Sequence, residues 1–336
     1  MKKRLFYTII TLLVFNVTVI YGDDNPWKNS TQSKAGIAGF TFLKIPPTAR
    51  IAGMGNAFTA ISDDISAIFI NPAGITEAGE YAFHISNTRW LVNSNLYVAA
   101  ATMHLGMGNY IGISFVGLVP EETPERSPTS SDPDGLTGRN ITMYDYAVGL
   151  TYAAKMFHQL SLGIKVNYVK ETIMNLSVSN LLFDIGSLYY TGFKTIRIAM
   201  GLRNFGSDAQ YPNRILFHMP IVYNIGVAGE VYGQAKDSNI RITLSGEASF
   251  YIDYEQRYQI GTEIWILNTI ALRGGYMFNA GTEDPWGRFN YKGNQFALGF
   301  GGRLNVGGST ILFDFSYTKS DKLFENPLRF SLGGSF

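Results

Sequence analysis

The 336-residue chain has no cysteine, only 4 histidines and 4 tryptophans, and little charge. The missing cysteine excludes a disulfide framework and thiolate zinc sites. Charged residues make up 16% of the chain, against roughly 25% in an ordinary soluble domain. The signs nearly cancel, at 27 basic and 26 acidic, so there is no basic field to attract nucleic acid. A hydrophobic content of 46% excludes an intrinsically disordered chain. Beyond the N-terminus no apolar run reaches 18 residues, so no transmembrane helix is expected there. Present instead are 36 Gly, 20 Tyr and 23 Phe. That mix suits a β-rich protein whose outside meets an apolar solvent.

Lys2, Lys3 and Arg4 precede an apolar run over residues 5–21, and Gly22 is followed by the polar Asp23-Asp24-Asn25-Pro26. This pattern predicts a secretory signal peptide over residues 1–22, with an uncleaved membrane anchor as the alternative. No cysteine follows the apolar run, which excludes a lipoprotein.

From residue 79 onward the dominant signal is alternation. Leu160, Leu162, Ile164, Val166 and Tyr168 share one face, and Ser161, Gly163, Lys165 and Asn167 the other, because successive side chains of a strand point oppositely. Residues 240–253 repeat the pattern. So do 144–152, 196–203, 223–231, 258–264, 270–278, 296–304, 311–318 and 330–336. Weaker stretches at 81–90, 96–104, 111–115 and 183–190 bring the predicted strands to fourteen.

Connections after even strands are all short, whereas several after odd strands are long, at 119–140, 204–219, 279–292 and 319–327. All long loops therefore emerge at one end, as in outer-membrane barrels, whose long loops face the cell exterior. The polar face collects Lys165, Arg197, Arg203, Arg241, Arg273, Arg303 and Arg329 with Asp145, Asp184, Glu230, Glu247, Glu263 and Asp314. These charges balance and can pair inside a lumen, while the other face is nearly free of charge, as hydrocarbon contact requires. A soluble sandwich is the alternative. The reading is an all-β, 14-stranded antiparallel transmembrane β-barrel over residues 79–336, in the outer membrane of a Gram-negative-type bacterium. The terminal Phe336 resembles the C-terminal signal of such barrels.

Residues 23–78 lack the alternation. Ser62 or Asp63 is expected to cap a short helix carrying Ile65, Ile68 and Phe69 on one face, and Asn71-Pro72-Ala73-Gly74 to stop it. A 14-strand barrel is too wide for its wall side chains to fill, so residues 23–78 are expected to form an N-terminal plug, or hatch. A periplasmic extension is the alternative.

The segment Phe42-Leu43-Lys44-Ile45, with Ala49-Arg50, Gly53-Met54-Gly55, Ala57-Phe58-Thr59-Ala60, Asp63-Asp64, Ala67-Ile68-Phe69 and Asn71-Pro72-Ala73-Gly74, resembles the N-terminal signature of PorV/PorQ-like proteins. These belong to the FadL-type outer-membrane barrels, whose hatch motif Asn71-Pro72-Ala73 also resembles. The resemblance implies a 14-stranded barrel with an N-terminal hatch built on Arg50, Gly53, Gly55, Asp63, Asp64, Asn71, Pro72, Ala73 and Gly74. FadL-type members let hydrophobic molecules such as long-chain fatty acids cross passively, whereas PorV and PorQ serve type IX secretion.

Enzyme chemistry has no constellation to rest on. His84, His104, His158 and His218 are scattered without ligand spacing,. Gly53-Met54-Gly55 lacks the third glycine and strand context of a dinucleotide loop. Asp132-Pro133-Asp134-Gly135 lacks the later ligands of a calcium loop. No Ser–His–Asp order is identifiable. No enzyme, cofactor or metal is therefore expected. Two functions remain: a passive transporter of hydrophobic small molecules, with outer-membrane lipid around it, or an accessory that holds secreted protein cargo. For transport, the expected apolar path is Phe42, Leu43, Phe58 and Phe69, leading to a lateral opening at 106–117 around Gly112, because glycine leaves space in a strand.

Overall fold

In the computed structural model, the alternating stretches become fourteen strands closed on themselves. It describes residues 37–129, 131–174, 176–211, 216–233, 238–253, 256–279, 294–319 and 326–336. The predicted signal peptide, residues 23–36 of the predicted plug and most of 279–292 and 319–327 lie outside these.

The wall begins with β1 (Tyr81–Arg89), β2 (Asn95–Gly106) and β3 (Asn109–Val119). It continues through β6 (Met143–Phe157), β7 (Leu160–Ile173), β8 (Leu176–Tyr190) and β9 (Arg197–Phe205). Then come β12 (Val222–Tyr232), β13 (Ile240–Tyr251), β14 (Arg257–Ile266) and β15 (Ile270–Asn279). The last are β16 (Gln295–Val306), β17 (Ser309–Lys319) and β18 (Leu328–Ser335). Each pairs antiparallel with its neighbours, and β1 closes on β18 from Ala82↔Ser335 to Arg89↔Leu328. Gly307 and Gly308, at φ 58° and 88°, join Val306 to Ser309; both φ values are positive, as a tight two-residue hairpin turn demands.

Two small hairpins lie in the long connections: β4 (Thr123–Arg126) with β5 (Leu136–Ile141), and β10 (Ala209–Gln210) with β11 (Leu216–Phe217). The strand spacing leaves 119–140 as one long connection. Pro124 nevertheless pairs with Asn140, and the register shifts immediately beyond it. A residue without an N–H donor is tolerated at such an edge.

The faces divide as expected. Ile113, Leu150, Ile185, Ile260, Phe300 and Phe330 point outward and are about half exposed, while Lys165, Asp184, Arg197, Glu247, Glu263, Arg273, Asp314 and Arg329 are buried within. A hollow of about 890 Å³ on the outward face runs beside Ile85, Tyr97, Phe300, Phe313 and Phe330.

The interior is filled by residues 37–78, which form a 3-10 turn (Thr41–Lys44), a short α-helix (Ala49–Gly53) and two further 3-10 turns (Ile65–Phe69 and Pro72–Glu77). Two local expectations are corrected. The cap of the Ile65–Phe69 turn is Asp64, whose carboxylate accepts from Ser66 N, rather than Ser62 or Asp63. Pro72 does not merely end that turn; it opens the next one behind an Asn71 cap, where its missing N–H costs nothing. Plug and wall share three apolar clusters. Ile65, Ile68 and Ile75 meet Leu96 and Val98; Ile51, Met54 and Phe58 meet Leu188 and Ala199; Phe40 and Phe42 meet Val169 and Leu182. The inward face is therefore apolar under the plug as well as charged beside it.

Candidate functional site: the plug against the wall

The plug is seated on glycine. Gly112, Gly163, Gly186, Gly201, Gly226, Gly261, Gly275 and Gly299 each lie on a different strand and face residues of the plug. Several adjoin in register: Gly163↔Gly186, Gly186↔Gly201 and Gly261↔Gly275. A Cβ at Gly226 would stand 3.2 Å from Ala60 N, and one at Gly299 3.2 Å from Gly53 Cα. Side chains there would hold the plug backbone off the wall. Gly55 has a double reason to be glycine: φ is +62°, and a Cβ would lie 2.7 Å from Tyr276 N,.

On β13 to β17 the plug is held by charge. Arg50 is 2% exposed. Its Nε and Nη2 donate to the two Glu263 oxygens at 2.9 and 2.7 Å, the paired geometry in which a guanidinium binds a carboxylate most strongly. Arg50 also meets Asp63 at 2.8 Å and Asp64 at 3.2 Å. Glu263 continues to Arg273 at 2.6 Å, and Arg273 to Asp314 at 2.6 Å. Asp63 reaches Arg241 at 3.6 Å. The Trp265 N–H donates to Glu263 Oε1 at 2.8 Å, and Phe58 lies under the Arg50 guanidinium at 5.6 Å. Burial alone would favour a neutral Arg50, but Asp63, Glu263 and Asp64 hold its pKa well above the ordinary value. Burial would likewise raise Asp64, but Arg50 and the Ser66 N–H bring it below the usual carboxylate range. Nearby, Glu247 Oε2 accepts from Phe58 N and Thr59 N at 2.9 and 2.8 Å.

On β7 to β9 the fastening is of another kind. Lys165 Nζ donates to Ile68 O at 3.3 Å, and Arg203 Nη1 to Phe69 O at 3.1 Å. Here side-chain cations bind backbone carbonyls at the end of a 3-10 turn. Beside them is a cavity of about 40 Å³, with Phe42, Leu43, Ile45 and Phe69 on its apolar side and Lys165, Asp184 and Arg203 on its polar side.

The expected path residues thus separate. Phe42, Leu43 and Phe69 come together at this cavity, while Phe58 belongs to the cluster beneath Arg50. Gly112 is a seat: a Cβ there would lie 2.8 Å from Ile68 Cδ1. At the expected opening, 106–117, the wall strands are paired. The β2–β3 ladder is continuous from Asn95↔Val119 to His104↔Tyr110, shifting only before Gly106, and β3–β6 is continuous from Asn109 to Leu118. Backbone hydrogen bonds need no side chain, so glycine here admits the plug without parting the strands. Asn71 spans plug and wall, donating to Thr59 O and Ser187 O at 3.0 Å each. Pro72 and Ala73 lie on Gly163, and Gly74 packs on Ala67. Lys165, Arg203 and Glu263 were visible in the sequence only as lumen charges. Nothing local marked the first two as plug contacts.

No family model and no curated protein matches the chain. Solved structures do. A monoaromatic hydrocarbon channel, CymD, has 10% identity and a TM-score of 0.57, covering 89% of this chain and 98% of that one. The toluene transporter TodX of Pseudomonas putida has 11% identity and a TM-score of 0.57, covering 90% and 99%. A FadL homologue from Pseudomonas aeruginosa has 10% identity and a TM-score of 0.52, covering 85% and 97%. At these identities the likeness is one of fold: the closed β-barrel of this chain resembles theirs over most of its length.

Proposed function

We propose that the protein is an outer-membrane channel through which hydrophobic small molecules, long-chain fatty-acid-like ones among them, pass passively beside an N-terminal hatch. The observation that carries this reading is the plug of a closed barrel, whose Phe42, Leu43 and Phe69 meet at a small cavity against the wall. A cavity of about 40 Å³ is no passage by itself, so transit of an apolar molecule requires the plug to shift there. The apolar outward face and wall strands of 8 to 15 residues suit a membrane-spanning barrel. The fold shared with hydrocarbon channels supports the same reading. Residues 1–22 serve as the export signal. The secretion-accessory reading rests only on the resemblance of the N-terminal segment.

The test is uptake of labelled laurate and toluene by cells with and without the protein. Faster uptake of either supports passage; equal uptake of both would refute it. Deleting residues 34–74 removes most of the plug and is expected to raise permeability to small polar solutes. Unchanged permeability in an inserted barrel would refute the plug as a barrier.

A further inference from the structure

The hollow of about 890 Å³ on the outward face lies along two rows of register partners. Phe300, Phe315, Phe330 and Asn87 follow one another across β16, β17, β18 and β1. The row nearer the short turns is Gly302, Phe313, Leu332 and Ile85. Gly302 leaves room in it, since a Cβ there would meet nothing within 4 Å. From Ile270 on β15 to Tyr97 on β2 the hollow crosses five strand spacings, roughly 24 Å. Ile270 is the first residue of its strand after a short turn, and Tyr97 the third of its strand after the loop at 90–94. The hollow therefore slants from the long-loop end of the wall toward the short-turn end. With strands tilted by about 40° it descends roughly 15 Å, about half the hydrocarbon thickness of a membrane.

Charge on this outward face is of one sign. Among the described wall residues Arg89, Lys170 and Lys319 carry it, and all three lie toward the long-loop end. Arg89 stands two residues beyond Asn87 on β1, and Lys319 four beyond Phe315 on β17; both are exposed. Their backbones are roughly 12 Å apart across the sheet, so both long side chains can reach one head group. Neither meets a carboxylate among the described residues.

We propose that this patch binds an anionic membrane lipid, with its phosphate at Arg89 and Lys319 and an acyl chain in the hollow. A charge on a lipid-facing wall is costly in the hydrocarbon and tolerated near the head groups, which sets both cations at head-group level. Two cations without a counter-charge there favour a phosphate, which a guanidinium binds through paired hydrogen bonds. The slant lets one chain follow the hollow from its head group toward the middle of the membrane. A second copy of this chain, packed on the same patch about a two-fold axis, would turn the cations toward their like. The inference rests on the membrane reading of the barrel and is independent of passage.

The test gives the full-length protein, in dodecyl maltoside, equal amounts of dioleoyl phosphatidylglycerol and dioleoyl phosphatidylcholine, and reads bound lipid by native mass spectrometry. Phosphatidylglycerol is expected to be retained at least about fivefold over phosphatidylcholine, the effect of one basic side chain at an anionic surface. Arg89→Gln/Lys319→Gln is expected to bring the two lipids level. Lys170→Gln/Lys194→Gln, which removes as much charge away from the hollow, is expected to keep the preference. Gly302→Trp fills the hollow and is expected to lower retention of both lipids, whereas Gly274→Trp, on the outward face beside it, is not. Level retention by the unaltered protein would overturn the site without any variant. So would a preference kept in Arg89→Gln/Lys319→Gln, or full retention in Gly302→Trp. Absence of the protein from the membrane fraction of cells would overturn instead the membrane reading on which the site rests.

Discussion

The two sides of the plug are fastened by different chemistry. Toward β13 to β17, a guanidinium with three carboxylates around it is locked into a buried chain of ion pairs. Toward β7 and β9, two cations hold two backbone carbonyls over a small cavity. A buried ion pair is costly to break, because the partner left behind is an uncompensated charge. A cation on a carbonyl can change partners without stranding a charge. On this chemistry the first side is expected to stay fixed and the second to release more readily. The difference lies in which partner each cation has, since both sides are cationic and both are seated on glycine.

The largest expected effect is on the ion-paired side. Arg50→Met leaves Glu263 and Asp64 without their shared cation and is expected to cost about 3–5 kcal/mol, seen as lost exchange protection over residues 49–61. On the other side, Lys165→Met leaves one carbonyl unmet and is expected to cost only about 1–3 kcal/mol, seen over residues 65–70. Equal losses would erase the distinction. The glycine seats are tested by a neighbouring pair. A Cβ at Gly275 falls on the Gly55 backbone, whereas one at Gly274 meets nothing within 4 Å. Gly275→Ala is expected to lose about 1–3 kcal/mol through overpacking, and Gly274→Ala to stay within about 0.5 kcal/mol, by thermal unfolding.

Acid sharpens the comparison further. Asp64 is enclosed, whereas Asp63 keeps 41% of its side chain exposed, so Asp64 is the better reporter. Its pKa lies below the ordinary 3.8. A depressed carboxylate contributes its full stability above the unfolded pKa and loses it as pH falls through the folded one. The contribution of Asp64 to plug protection near Arg50 is therefore expected to be complete above about pH 5 and to be lost as pH falls below about 3.8. An Asp64→Asn variant with the same acid-side loss as the unaltered protein would contradict the ion-pair assignment. Smallest is the exposed Arg139–Glu125 pair in the β4–β5 hairpin. Glu125→Gln is expected to leave thermal unfolding unchanged, because solvent screens such pairs.

The barrel was legible because its rule is local: alternation from residue 81 onward assigns every strand a lipid-like face and a polar face. The inward charges were legible for the same reason. Their partners were not, since Arg50 and Glu263 stand 213 residues apart in sequence and only closure of the wall brings them together. The glycine seats were half visible. Gly163 shares its parity with Lys165, which puts it inward, but inward glycine reads equally as a gap or as a seat. At Gly112 the sequence reading chose the gap; Ile68 Cδ1 fills that space. The Asp64 cap was missed by one residue, because Ser62, Asp63 and Asp64 are all good caps and only the pairing of Asp63 with Arg50 and Arg241 decides among them.

The absence of native cysteine permits a direct measurement of the fixed and releasable sides. One pair, Gly53→Cys with Gly299→Cys, ties the plug to β16 on the ion-paired side. The other, Ile68→Cys with Gly112→Cys, ties it to β3 beside the Lys165 contact. Laurate uptake is measured with each tether closed and again after reduction. The β16 tether is expected to leave uptake intact, and the β3 tether to stop it until the disulfide is reduced. Arrest by the β16 tether together with free uptake under the β3 tether would contradict the division of the plug into a fixed and a releasable side.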